Sequence, residues 1–469
     1  EIYRCDWSSD VCSSDLAVAA KEGYSVLERV PDQAMNQEFA RAVFSISQAE
    51  ASLEKASRGL AWLGPWRFVP FTRAHIRLAE EGVQAATLTL SGAKDVVEVA
   101  AMAQESFDVI RSQDFGIGGQ RSYKDLTPDE RRIILGRIAN ALPQIRSAQE
   151  KMRLAAIRWQ ELPADGVFAP LRNQIRTQVD RFSELQAQFD QAVQIGEVLL
   201  PMTGYPTAKK YLIVLQNNQE MRGTGGFIGT VGELWLNAGS IEKMTFQDVY
   251  SVDLPISGVW KEPAPAPIAR WLEQKTLFLR DANWSPDFPT TAQVLLRYYT
   301  EERRLAGIAP TDLNGIVAIQ PDFFERLLRI IGPVTVEDQT FTADNFFDAL
   351  QYDVHRGFEE KGIPRAQRKE VVAKLGDAVF QKVSALPAAE WPKLLDLATR
   401  SLTQKDILLY EKDPALQRFL QLRSWAGEMK APEADYLAVI DSNLGAWKTD
   451  GVMDKRVVYQ IDAKTPTSV

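Results

Sequence analysis

Cysteine and histidine are scarce in this 469-residue chain, which contains two of each. The cysteines, Cys5 and Cys12, lie within the first sixteen residues, and the histidines are His75 and His355. A zinc site needs several cysteine or histidine ligands, and a Ser-His or Cys-His nucleophile needs a histidine beside it. The sequence therefore argues against both kinds of site. Any metal would be held by oxygen ligands, which suit magnesium or calcium.

Basic residues and long apolar runs are also scarce. The chain has 54 Lys and Arg against 62 Asp and Glu, a formal net charge of −8. This acidity argues against nucleic acid as the main partner. The sequence contains no apolar run of about 18 residues or more, the length that a membrane-spanning helix needs. The composition, 45% hydrophobic and 25% charged, is that of an ordinary globular protein.

The first sixteen residues differ in character from the rest of the chain. They read EIYRCDWSSDVCSSDL, crowd Ser and Asp together with both cysteines, and have no apolar periodicity. They resemble one reading frame of a sequencing-library adapter, so we expect residues 1–16 to be non-native and set them aside. The remaining chain then has no cysteine and a net charge of −5. We also expect the native N-terminus to lie upstream of this sequence.

Residues 17–205 have the pattern of a helical bundle. Apolar residues recur at helical spacing in two segments, 42–49 and 133–142. Thr127 and Glu130 have the spacing of a capping box at a helix N-terminus. We expect four long helices packed as an elongated bundle, with a spacer or docking role and no catalytic site. The predicted breaks between helices are residues 63–71, 113–123 and 163–166.

Residues 206–400 predict an α/β domain, a sheet covered by helices, because short apolar runs alternate with helical patterns. The predicted strands are 211–216, a hairpin over 231–246 with its turn at NAGS, and 314–320; the predicted helices include 290–302 and 321–331.

Residues 401–469 predict a C-terminal helix followed by the start of a β-rich segment. Val457, Tyr459 and Ile461 alternate with polar residues, as in a strand. The partner strands of such a segment are not in the sequence, so we expect the chain to be truncated here.

The most unusual stretch is LQNNQEMRGTGGFIGTVGEL, residues 215–234. The glycines are followed by a strand-like pattern, whereas a dinucleotide-binding fingerprint needs a helix there, and the P-loop motif is absent. Two interpretations stay open. In the first, backbone amides and Arg222 face an anion at a glycine-lined turn. Alternatively, the stretch is a tight turn whose Asn and Glu side chains satisfy the backbone, with Glu220 paired internally to Arg222.

The motif resembles that of the bacterial "domain of unknown function 4012" family, and the resemblance extends over about residues 35–465. Members have a helical region before the motif, usually behind one membrane-spanning helix. The resemblance implies an extracytoplasmic protein anchored to the bacterial plasma membrane by a segment outside this chain. The matching motif residues are Asn217, Asn218, Glu220, Arg222, Gly225, Gly226 and Phe227, with an F-x-D-x-Y segment at Phe246, Asp248 and Tyr250.

The order of segments is also similar to that of the LytR-CpsA-Psr family. Those membrane-anchored enzymes move a glycopolymer from a polyprenyl-pyrophosphate carrier onto a cell-wall hydroxyl. The sequence departs from that family because Gly-Thr-Gly-Gly follows Arg222 in place of Ser-Asp, and Gln247 stands where an arginine is expected. The similarity implies phosphate binding by Arg222, Gly225, Gly226, Arg365 and Arg368, and catalysis by Asp248 or Asp253, with magnesium as the cofactor.

Two functions follow as hypotheses. The first is glycopolymer assembly, in which the protein transfers or binds polyprenyl-pyrophosphate-linked glycans, and it requires the arginines to converge on one cleft. The alternative is a non-catalytic extracytoplasmic scaffold or interaction protein. In that case Arg365 and Arg368 form a solvated helix face, Asp248 caps a turn and Asp253 has no catalytic role.

Overall fold

The computed structural model describes most of the chain, in two compact units. One unit comprises Glu1–Ala208 with Asn237–Ser240, and the other comprises Lys209–Leu236 with Ile241–Val469. The described residues are 25, 26, 29, 30, 33, 38–63, 68–112, 126–161, 187, 190, 193, 196, 197, 200–360, 362, 370–386, 390–430, 432, 436–445 and 447–460.

The first unit is helical, as predicted. Its long helices pack in chain order, α1 on α2 and α2 on α3, through apolar positions spaced three or four residues apart. The predicted capping box is present: the Thr127 amide donates to the Glu130 carboxylate at 2.6 Å, and the Glu130 amide donates to the Thr127 hydroxyl at 3.3 Å. The predicted breaks at 113–123 and 163–166 lie outside the described residues. The long helices are α1 (Phe39–Trp62), α2 (Pro70–Ser112) and α3 (Pro128–Glu161).

The second unit contains a five-stranded mixed sheet with the strand order β3-β2-β1-β4-β7, and a separate two-stranded sheet of β5 and β6. β1 pairs antiparallel with β2 and parallel with β4, and β4 pairs antiparallel with β7. The strands are β1 (Lys209–Asn217), β2 (Phe227–Asn237), β3 (Ser240–Asp248), β4 (Gly315–Ile319), β5 (Val334–Val336), β6 (Gln339–Phe341) and β7 (Ile407–Glu411).

Helices surround this sheet, and the main core lies between it and α6. The largest helices carry apolar stripes that pack on the strands. The helices are α4 (Val249–Asp253), α5 (Ala266–Trp271), α6 (Phe288–Leu305), α7 (Pro321–Ile331), α8 (Phe346–Tyr352), α9 (Phe358–Glu360), α10 (Glu370–Ser384), α11 (Trp391–Gln404) and α12 (Pro414–Leu422). Short 3-10 turns occupy Leu254–Ile256, Leu279–Asp281 and Asp450–Val452, and a π-helical turn occupies Asp353–Gly357.

The structure confirms the predicted buried strands, the hairpin and the helix that begins at Pro321. It differs in two places. The fifth strand, β7, lies beyond the predicted α/β region 206–400, and its short apolar run was not recognised as a strand. The strand predicted around Val457 and Tyr459 is wrong for the described residues 447–460, none of which is in a strand. None of the described helices is long and apolar enough to cross a membrane.

Candidate functional site: the motif loop and its buried ion pairs

The unusual motif forms the loop that joins β1 to β2. The loop closes on itself, because the Phe227 amide donates to the Glu220 carbonyl at 2.8 Å. Gly226 lies so close to the opposite backbone that a Cβ would sit 2.2 Å from the Asn217 carbonyl oxygen. Gly225 has φ +130°, a conformation that side chains disfavour. These two glycines are therefore required by the closure of the loop itself.

Arg222 is buried at the centre of this loop, with its side chain 1% exposed. Each of its five N–H groups has an acceptor. Nε and one Nη2 hydrogen reach Asp281 Oδ1 at 3.3 and 3.1 Å, and the other Nη2 hydrogen reaches Glu220 Oε1 at 3.1 Å. Nη1 donates to the carbonyls of Met221 and Asn443 at 3.0 and 2.8 Å. In this conformation the guanidinium has no donor left for a phosphate.

Two carboxyl groups, those of Glu220 and Asp281, face Arg222. Burial raises the pKa of Glu220 above its ordinary value, although the attraction of Arg222 opposes the rise. Asp281 is 2% exposed and accepts a further hydrogen bond from Gln274 at 3.3 Å. The Phe227 ring lies 5.5 Å from the guanidinium and closes another side. One cation enclosed by two carboxylates gives a cluster that does not attract an anion.

The C-terminal part of the chain contributes directly to this cluster through residues 441–445 and 447–455, here called the strap. The Asn443 amide donates to the Met221 carbonyl at 2.9 Å, and the Asp450 amide donates to the Gln219 carbonyl at 3.2 Å. In return, the Met221 amide donates to Asp450 Oδ2 at 3.0 Å. The motif is thus the docking site of another part of the same chain.

A second buried cluster lies next to the first. Asp253 and Glu302 are both fully buried, and one oxygen of each, Asp253 Oδ1 and Glu302 Oε2, accepts no hydrogen bond. Arg280 Nη1 donates to Asp253 Oδ2 at 2.7 Å, and the Leu279 amide donates to Glu302 Oε1 at 3.2 Å. Burial and the adjacent Asp253 raise the pKa of Glu302 to about 9. Burial beside a second carboxyl group therefore favours the protonated form of Glu302 at neutral pH.

Three other predicted site residues make hydrogen bonds within the protein. Asp248 accepts from the Tyr250 amide at 3.1 Å and is the N-cap of α4. Asn217 accepts from the Gln219 amide at 3.1 Å and so tightens the motif turn. Asn218 donates to the carboxylate of Asp322, at the start of α7. The contacts of Asp248 and Asn217 are those expected of turns that satisfy their own backbone, whereas Asn218 joins the motif to the start of α7.

The structure brings some of the predicted residues together and leaves others apart. Arg280 links the two clusters, because its Nε lies 3.6 Å from Asp281 Oδ2. Asp253 therefore belongs to the same network as Arg222, through two residues that the sequence did not identify. Arg365 and Arg368 lie outside the described residues. Among the described residues there is no group of three or more His, Cys, Asp or Glu that could hold a metal ion.

A cavity of about 250 Å³ lies beside the motif, in the second unit. Three carboxylates and two side-chain amides face it, together with one aromatic ring, and no Lys or Arg is among its lining residues. Such a lining repels phosphate. The lining residues are Asn218, Gln219, Pro321, Asp322, Glu325, Phe347, Asp450 and Gly451.

The fold and this network define an α/β domain with a mixed sheet, in which the β1–β2 loop is held by buried ion pairs. Residues 207–355 match the family model described as "Protein of unknown function (DUF4012)", so this part of the chain is a member of that family. The match confirms the resemblance to this family over residues 207–355, which include the motif. Comparison with curated proteins gave no match, and comparison with solved structures gave none.

Proposed function

We propose that the second unit, which contains the DUF4012 match, is a non-catalytic scaffold or interaction module of the cell envelope. In this proposal the motif ties the C-terminal segment to the sheet. The observation that carries this proposal is the state of Arg222. A transferase would present this guanidinium to a pyrophosphate in a cleft. Here it is buried, and every N–H group is already bonded within the protein.

Electrostatics support the same proposal. Phosphoryl transfer depends on cations that neutralise the charge of the transferred group. Arg222 faces two carboxylates, Arg280 faces Asp253, and the nearby cavity is lined by carboxylates. Moving either arginine to a phosphate would leave a buried carboxylate unpaired, which costs several kcal/mol.

The extracytoplasmic location is also a proposal. Its support is the family membership of residues 207–355, together with the helical region that precedes the motif. In this proposal the first and second units both lie at the bacterial cell surface.

Direct ligand binding tests the proposal against the rival function, glycopolymer transfer. Isothermal titration of the full chain with geranylgeranyl pyrophosphate, with and without magnesium, is expected to show no saturable binding. The matched variants are Arg222→Gln, at the cluster, and Arg304→Gln, in an exposed pair with Glu301. Saturable binding that Arg222→Gln removes and Arg304→Gln retains would overturn the scaffold and establish a pyrophosphate site at the motif.

A further inference from the structure

The strap is attached by few contacts for its length. The described residues on either side of it, 436–440 and 456–460, are all exposed, and within it Trp447 is 73% exposed. Its attachment consists mainly of the polar contacts at Asn443 and Asp450 and a hydrogen bond from Lys448 to Gln351, with Leu444 packed against the core. Segments with few buried apolar contacts open at a free energy well below that of global unfolding.

A continuous chain of polar contacts joins the strap to the buried carboxyl pair. From the strap, Asn443 O is bound by Arg222, and Arg222 is bound by Asp281. Asp281 belongs to the short turn Leu279–Asp281, whose first amide is held by Glu302. We propose that the proton on Glu302, beside Asp253, holds this turn in place, and thereby keeps the strap attached to the motif.

The physical basis is the charge of the pair. With one proton, the pair carries a single negative charge, which Arg280 balances. Without that proton, two buried carboxylates face one cation and repel each other. The repulsion acts on the turn that carries Asp281, so the hold of Asp281 on Arg222 weakens. The Arg222 contact with Asn443 weakens with it, and the strap is released.

Few titratable or charged groups face the Asp253–Glu302 pair. Asp253, from α4, is faced by Arg280 and Glu302. Glu302, on α6, is faced by Asp253 and Arg280, and it also interacts with Tyr298 of its own helix. Burial raises the pKa of Tyr298 from its ordinary value of 10, so Tyr298 stays neutral while Glu302 titrates. This inference deepens the proposed role of the motif as the holder of the C-terminal segment, and so rests on it.

Limited trypsinolysis of the full chain measures strap release, because the strap contains Lys448 and Lys455. The rate of cleavage after these lysines, normalised to a peptide substrate in the same tube, is followed from neutral pH to above the pKa of Glu302. The normalised rate is expected to rise about tenfold per pH unit on approach to that pKa. Cleavage elsewhere in the second unit is expected to stay slow, which separates strap release from global unfolding.

Matched variants identify the group responsible. Glu302→Gln and Asp253→Asn keep the shape of the pair without its titration, and each is expected to abolish the rise. Glu411→Gln is the control, because Glu411 is another buried carboxyl with a raised pKa, bonded to Tyr211. A rate that does not change with pH in the wild type, or a rise that survives in both pair variants, would overturn the proposal. These outcomes are independent of the pyrophosphate titration that tests the proposed function.

Discussion

Arg222 forms its ion pairs and hydrogen bonds inside the protein, where it joins parts of the chain that are far apart in sequence. Its contact with Glu220 spans 2 positions, its contact with Asp281 spans 59, and its contact with Asn443 spans 221. The contact with Glu220 is one of the alternatives that the sequence predicts, since an acid and an arginine two residues apart in a tight turn readily pair. The other two depend on which loops the fold brings together, and no spacing in the sequence encodes that.

Loss of the Arg222 side chain is expected to destabilise the second unit strongly. Arg222→Ala leaves Glu220 buried without its arginine and leaves Asp281 with only the more distant Arg280. Breaking a buried ion pair in this way costs about 3–5 kcal/mol. Urea unfolding monitored by tryptophan fluorescence measures the loss. Arg304→Ala, which removes an exposed pair with Glu301, is the control and should cost at most about 1 kcal/mol. Equal, small losses in both variants would show that the cluster does not stabilise the fold.

At the scale of the element, the sequence predicted helices and turns correctly where proline or glycine marked their ends. The helix Pro321–Ile331 begins at the predicted proline, and the turn of the β2–β3 hairpin has Ala238 at φ 46° and Gly239 at φ 73°. Ile407–Glu411 was missed because it has only five residues and follows a helix directly. Its identity as a strand comes from pairing with β4, which is a distant partner.

The motif loop is expected to tolerate no side chain at Gly226. Gly226→Ala would place a methyl group 2.2 Å from the Asn217 carbonyl oxygen, so the backbone of the loop must shift. Such overpacking costs about 1–3 kcal/mol or more. The control is Gly258→Ala, because a Cβ at Gly258 meets nothing within 4 Å and a surface change of this kind stays within about 0.5 kcal/mol. Thermal unfolding of the two variants compares them, and indistinguishable melting temperatures would contradict the close approach.

At the scale of the whole molecule, the order of helical unit and α/β unit followed from composition and periodicity. The buried polar residues of the second unit could not be predicted from composition and periodicity. Asp253 was predicted to be a catalytic residue or an idle loop residue, yet it is fully buried beside Glu302. Sequence periodicity marks apolar positions as buried and gives no signal for a buried carboxyl whose partners lie on other elements. We therefore expect a pH dependence of stability that the sequence alone does not predict.

Glu302 is expected to make the folded protein less stable as the pH rises. Its folded pKa of about 9 lies above the ordinary value of 4.5, so between these values the folded state holds a proton that the unfolded state has released. The free energy of unfolding falls through this window, by at most about 1.4 kcal/mol per pH unit for one proton. Glu302→Gln removes this titration. Urea unfolding at several pH values within the window should show the variant gaining stability relative to the wild type as the pH rises. A difference between the two proteins that stays constant with pH would mean that the buried pair holds no extra proton.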